Sequence, residues 1–229
     1  FSVRESLIMA TMCLISHNFI VETLVLQKTG SSARGMIFLR VAGSFVAAIV
    51  LNWILPEMSG KVLSETAVAM NLSETLVHWL ESSLLLCVKI VLVITGLMIL
   101  QRVLEEFGVL KILSSMLSPL MRVFGLNPDV AFLWLVGNTV GLAYGSAIML
   151  ECAKEGKLAH QEADLLNHHL AISHSQLEDP LLFMVMGLPV GWLIFPRIVL
   201  AMIVVWIRRG IYSLRAHVHP PVKVENVSL

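Results

Sequence analysis

The stretch "AISHSQLEDPLLF", Ala171 to Phe183, crowds Ser173, His174, Ser175, Gln176, Glu178 and Asp179 into otherwise apolar surroundings. A relative of it, "LISHNFIVETLVL", runs from Leu14 to Leu26. Slid by 157 residues, Ile15, Ser16 and His17 fall on Ile172, Ser173 and His174. Glu22 then falls on Asp179, Gly30 on Gly187, and Arg40 on Arg197. Eight of the 28 positions from Leu14 to Val41 are identical without a gap. The matches include histidine and arginine, which are rare in apolar segments. An internal repeat is therefore the first organising feature of the chain.

Composition says where the repeat lives. The 229 residues are 57% hydrophobic and only 14% charged, with a mean hydropathy of +0.82. A soluble domain is about a quarter charged. The chain is thus expected to be an integral membrane protein with the lipid bilayer as its first partner. Its formal net charge is zero, so the basic footprint of a nucleic-acid binder is missing. Cys13, Cys87 and Cys152 are far apart, in apolar runs and without metal-type spacing. They are expected to be buried free thiols.

A bilayer core of about 30 Å takes roughly 20 apolar residues per helix. Four stretches qualify: Met36 to Leu55, Leu84 to Val103, Val130 to Cys152, and Leu188 to Ile207. Leu7 to Leu26 and Leu165 to Met186 are apolar but studded with polar groups. "GVLKILSSMLSPLMRVFGLNPD" has apolar residues at helical spacing and is expected to be interfacial, broken at Pro119. The organisation expected is a partial first repeat over 1–55, a polar extramembrane connection over 56–83, a complete second repeat over 84–209, and a tail over 210–229.

Lys28 and Arg34 precede the first strong span, Arg102, Lys111 and Arg122 follow the second, and Arg208, Arg209, Arg215 and Lys223 follow the fourth. The positive-inside rule then makes the C-terminal tail cytoplasmic. Lys154 and Lys157 fall outside in this scheme, a mild conflict. A re-entrant or broken Leu165–Met186 that returns to its own side keeps the tail inside, and such backbone is tolerated only in a protein-lined or wet cavity. Three strong spans lie between the copies, so the second copy is inverted relative to the first. Inverted repeats with broken polar helices are the build of secondary transporters. Phe1 maps onto Leu158, so the first copy lacks its leading span. About 70 further residues, or another chain, are expected to supply it.

The candidate solute-binding residues are Ser16, His17, Asn18, Glu22, Asn138, Thr139, Tyr144, Ser173, His174, Gln176, Glu178 and Asp179. Asn138, Thr139 and Tyr144 lie in "VGNTVGLAYGSAIM", where Gly137, Gly141 and Gly145 recur every four residues. That spacing suits close helix packing, and an unwound glycine-rich helix also offers carbonyls to a cation. Arg40 and Arg197 recur with a carboxylate and are expected to form structural ion pairs, Arg40 with Glu22 and Arg197 with the Glu178/Asp179 pair. His17 and His174 suit proton coupling, since imidazole titrates near neutral pH. A metal site from His168, His169, His174, Glu178 and Asp179 is not expected, because Thr11 and Met12 stand where the first copy needs histidines. A Ser173, His174, Asp179 hydrolase triad is not expected either, because adjacent Ser and His side chains point apart and no nucleophile elbow is present.

Three segments together resemble the Gate domain family, also called nucleoside-recognition domain proteins: "VGNTVGLAYGSAIM", "EGKLAHQEADLLNHHLAISHSQLEDPLLFMVMG" and "PRIVLAM". The first copy's "ISHNFIVETLVLQKTG" with "FLRV" looks like the same element. Relatives include spore maturation proteins A and B, the membrane domain of the ferrous-iron transporters, and parts of concentrative nucleoside transporters. No GTPase domain and no paired cysteines like those of the iron transporters are seen, so iron does not follow from the resemblance. The resemblance implies an all-α polytopic membrane protein with inverted-topology repeats and re-entrant or broken polar helices. It also implies a bacterial inner-membrane location, a small polar solute or ion, and a second copy or a partner Gate subunit. Neither an enzyme nor a cofactor is expected. The rival expectation is a non-transporting scaffold, whose polar residues would form one dry, fully paired network.

Overall fold

The computed structural model describes residues 2–58 and 71–218, and these fold as helices joined by short turns. The order is α1 (Val3–Ser16), α2 (Phe19–Lys28), α3 (Ala33–Ile54), α4 (Leu72–Glu106), α5 (Val109–Val123), α6 (Ala131–Thr139), α7 (Leu142–Lys154), α8 (His160–Ser173), α9 (Glu178–Val185) and α10 (Val190–Val218). Helices α3, α4 and α10 are long and apolar enough to cross a membrane, and α1 with α2, bent by 44°, makes a fourth candidate. The chain is an all-α polytopic membrane protein.

The helix starts follow local chemistry. Ser2 and Glu5 close a capping box at α1, and Asn71 and Glu74 close one at α4. Each satisfies two orphan amides at once. Leu84, Leu85, Val88, Val91 and Leu92 of α4 are exposed, as suits a helix in lipid. Lipid tails are as apolar as leucine, so burial of leucines alone does not select this fold. Polar locks and small-residue contacts decide it.

Two units repeat, α1–α2–α3 and α8–α9–α10. Helix α1 packs along α3 and α8 along α10, while α1 also touches α10 and α3 also touches α8. Exchanging the two units leaves this pattern unchanged. Their directions are opposed. Leu7 of α1, Leu51 and Leu55 at the end of α3, and Leu188 and Leu193 at the start of α10 share one apolar cluster, with Phe183 of α9 against it. At the other end Ser31, Arg208 and Tyr212 all bond to Asp164 of α8, at 2.7, 2.8 and 2.7 Å. So α1–α2 runs from the Leu7 end to the Asp164 end, and α8–α9 runs back. The repeats are inverted, and both are broken helices that traverse the same thickness.

Three expectations change here. Leu165–Met186 crosses instead of returning to its own side, because α8 starts beside Arg208 and α9 ends beside Leu188. Val130–Cys152 is the segment that returns. Gly141 has φ +110°, which reverses the chain. A Cβ on Gly145 would lie only 3.1 Å from Gly137 Cα. Residues eight apart on one helix are about 12 Å apart, so α6 and α7 form a tight hairpin. Its two ends share a side: Asn127 bonds Glu162, and Arg209 donates to the Gly125 carbonyl at 3.0 Å. Finally, α5 continues through Pro119 without a break.

Two smaller corrections concern boundaries and thiols. The connection expected over 56–83 is helical from Leu72, and α10 carries the tail to Val218; residues 59–70 and 219–229 lie outside the described residues. The cysteines are free as expected, but Cys13 and Cys87 are exposed on the outer surface rather than buried.

Candidate functional site

Each broken helix stops at its histidine. His17 and His174 are the C-caps of α1 and α8, both extended, with ψ of 164° and 163°. The next residues, Asn18 and Ser175, are left-handed at φ 50° and 52°. Asparagine tolerates this conformation better than serine does. The arginines hold the breaks open. Arg40 Nε donates to the Ile15 carbonyl at 2.9 Å and its Nη2 to the His17 carbonyl at 2.5 Å. Arg197 Nε donates to the Ile172 carbonyl at 3.0 Å and its Nη2 to the His174 carbonyl at 2.7 Å. These bonds are repeat-related one for one. A guanidinium on the carbonyl end of a helix also complements the helix macrodipole. Both arginine side chains are fully buried.

The two breaks meet. The imidazole rings of His17 and His174 lie 5.2 Å apart. Glu22 reaches both: its Oε1 is 3.3 Å from His17 Nε2, and its Oε2 is 3.2 Å from His174 Nε2. Asp179 Oδ2 is 3.9 Å from His17 Nε2. Helix ends, two imidazoles and two carboxylates from both repeats thus converge where both helices are interrupted. Asp179 Oδ2, His174 Nε2 and both amide atoms of Gln176 are buried without a hydrogen-bond partner.

The arginines differ in one respect. Arg40 Nη2 lies 2.5 Å from Glu22 Oε2, the expected ion pair. Arg197 is held by carbonyls instead, with a third from Leu14 at 3.3 Å; among the described residues no carboxylate stands within ion-pair distance of it. The backbone of the second break has taken that place. Ser175 N–H donates to the Gly137 carbonyl at 3.2 Å and Leu177 N–H to the Asn138 carbonyl at 3.3 Å, so the α6–α7 hairpin braces it.

The remaining candidates sit around this centre or away from it. Ser16 and Ser173 bond back to the Met12 and His169 carbonyls of their own helices. Asn18 is exposed at its turn, and Glu178 is half-buried in the first turn of α9. The Asn138 amide nitrogen donates to the Trp134 carbonyl, and Thr139 donates to Leu135. Tyr144 leaves the site: it is exposed and its hydroxyl donates to Glu105. His168 and His169 are also elsewhere. His168 Nδ1 meets the Asp164 carbonyl, and His169 Nδ1 accepts from Trp134 Nε1 at 3.1 Å.

One network was missed by the sequence reading. Asn167 donates to Thr29 and Ser31 at 2.9 and 3.0 Å, locking the first repeat's turn to α8 beside Asp164. All of these groups are buried. Buried polar groups on two copies of one repeat were its only sequence signal.

The fold and site define a polytopic α-helical membrane protein built from two inverted repeats. The chain is 28% identical over 207 residues to the uncharacterized membrane protein YvoD of Bacillus subtilis (strain 168), covering 88% of this chain. It spans 66% of that protein's length. No known family profile matches the chain, and no solved structure matches it.

Proposed function

We propose that this chain is a membrane transporter for a small polar solute or ion, with His17, Glu22, His174 and Asp179 as its binding centre. The observation that carries the reading is the meeting of two oppositely directed broken helices at their breaks, each bringing a histidine and a carboxylate. Ionisable groups at membrane depth are costly and mark solute or ion paths, and inverted repeats with broken helices place such paths between the copies. The resemblance to the Gate domain family supports the same reading. His17 and His174 are the groups a coupled proton would occupy. The scaffold alternative requires a closed network, whereas the Asp179 and Gln176 atoms named above are buried without partners.

The hairpin also supports one orientation. With α6–α7 returning to its own side, Lys154 and Lys157 join Lys28, Arg34, Arg208 and Arg209 at the Asp164 end. That end is cytoplasmic by the positive-inside rule, and the bacterial inner membrane is the matching location. The test is uptake into proteoliposomes, screened over nucleosides, other small polar solutes and ions, with and without a pH gradient. Saturable uptake of one class is expected, reduced about tenfold or more by Glu22→Gln. Folded, reconstituted protein that moves nothing would sink the reading.

A further inference from the structure

We propose that the cluster at the two breaks is a site for a divalent transition-metal cation of the zinc type, ligated by His17 Nε2, His174 Nε2 and Asp179. The proposal rests on reading this cluster as the solute centre, and it names the class of solute.

The geometry fits one ion. Ligand atoms of His17, His174 and Asp179 all lie within 4.8 Å of one another. Tetrahedral bonds of about 2.0–2.2 Å to nitrogen and oxygen put neighbouring ligand atoms about 3.3–3.6 Å apart. The His17 Nε2 to Asp179 Oδ2 distance of 3.9 Å is a few tenths of an ångström longer, so the ligands close slightly on an ion. Glu22, ion-paired to Arg40, borders the set without belonging to it, which leaves a fourth position for water or solute.

The histidines are oriented for it. His17 Nδ1 contacts the Cys13 carbonyl at 3.2 Å, and His174 Nδ1 contacts the Leu170 carbonyl at 2.9 Å. A carbonyl only accepts, so both rings carry their proton on Nδ1. Both Nε2 atoms then face the cluster, and in the neutral imidazole each offers its lone pair there. A backbone carbonyl on the far nitrogen is the usual support of a metal-bound imidazole. Glu22 Oε2 is answered by Arg40 Nη2 at 2.5 Å, whereas His174 Nε2 and Asp179 Oδ2 are both buried without a hydrogen-bond partner. Two buried acceptors facing one cluster are suited to a shared cation.

Charge and ligand type point the same way. Arg40 pairs with Glu22 and Arg197 is engaged by helix-end carbonyls, which leaves Asp179 without a guanidinium partner among the described residues. Two imidazoles with carboxylate suit zinc and its neighbours, whereas calcium and magnesium take oxygen ligands. Neither repeat holds the set alone, which is why one copy read by itself does not disclose it. The His17 side chain is 31% exposed and the His174 side chain 1%, so an ion enters past His17.

The experiment is calorimetric titration of the metal-free chain in lipid nanodiscs with Zn²⁺, followed by visible absorption of the Co²⁺ form. About one zinc per chain is expected. Asp179→Asn and His174→Ala should each weaken binding by about 10- to 100-fold, with His160→Ala and His168→Ala unchanged. The cobalt spectrum should change in His17→Ala, and thermal unfolding checks that each variant is folded. Folded wild type that binds no zinc, or wild-type zinc affinity in both Asp179→Asn and His17→Ala, overturns the site. Zinc bound at the cluster without flux in proteoliposomes supports the site and removes the carrier reading. Flux of another solute with no zinc bound removes the site and leaves the carrier.

Discussion

The two broken helices share one bonding plan and differ in what surrounds it. In the first, Arg40 answers a carboxylate, and Asn18, Ile20 and Leu24 face outward. In the second, Arg197 answers only carbonyls, His174 is sealed in, and the α6–α7 hairpin accepts from the amides of the break. One copy is held by a charge and the other by a clamp of backbone. An inverted pair need not be an equal pair.

The largest expected effect breaks the charge. Arg40→Met leaves Glu22 buried without its guanidinium and should cost about 3–5 kcal/mol. Adding Glu22→Gln should recover the part of that loss due to the unpaired charge, leaving the part due to the unbonded Ile15 and His17 carbonyls. Arg197→Met should also destabilise, by about 1–3 kcal/mol for each carbonyl left unbonded, but Asp179→Asn should recover nothing. Double-mutant cycles on unfolding in detergent measure both couplings. A large coupling between Arg197 and Asp179 would erase the distinction.

The next effect breaks the clamp. Gly145→Ala drives a Cβ against Gly137 backbone at 3.1 Å, while Gly137→Ala meets the movable Leu170 side chain at 2.9 Å. Gly145→Ala should cost about 2–3 kcal/mol and Gly137→Ala less. Melting temperatures of the two variants settle the order, and equal losses would argue against the hairpin.

The smallest effect sharpens the comparison at the turns. Ser175→Gly relieves a left-handed serine and should stabilise by about 0.5–1 kcal/mol, whereas Asn18→Gly should be nearly neutral. A destabilised Ser175→Gly would mean that the serine side chain matters more than its backbone.

Much of this was legible in residues. His17 and Arg40 recur 157 positions on, with Asp179 in the place of Glu22, and the recurrence pointed to both the breaks and the arginines that hold them. The hairpin was not legible. Glycines every four residues describe one smooth face of a straight helix as well as two sides of a turn. Hydropathy averages over 20 residues and cannot see φ at Gly141. His17, Glu22, His174 and Asp179 were all legible as candidates from the repeat. That His17 joins His174 and Asp179 in a metal-type set was not, because those side chains come from opposite copies. Tyr144 went astray with the hairpin, since folding α7 back turns it toward α4.

Helix α4 sets a dimension of its own. Its 35 residues are about 52 Å long at 1.5 Å per residue, against about 30 Å of hydrocarbon. The apolar part from Leu84 to Val103 fills the hydrocarbon. The residues from Leu72 to Ser83, with Glu74 and Glu81, project about 18 Å beyond it. A thinner or thicker bilayer is met by tilting or sliding such a helix. Helix α9, which carries Asp179, packs against α4. Membrane thickness therefore bears directly on the helix that positions this carboxylate.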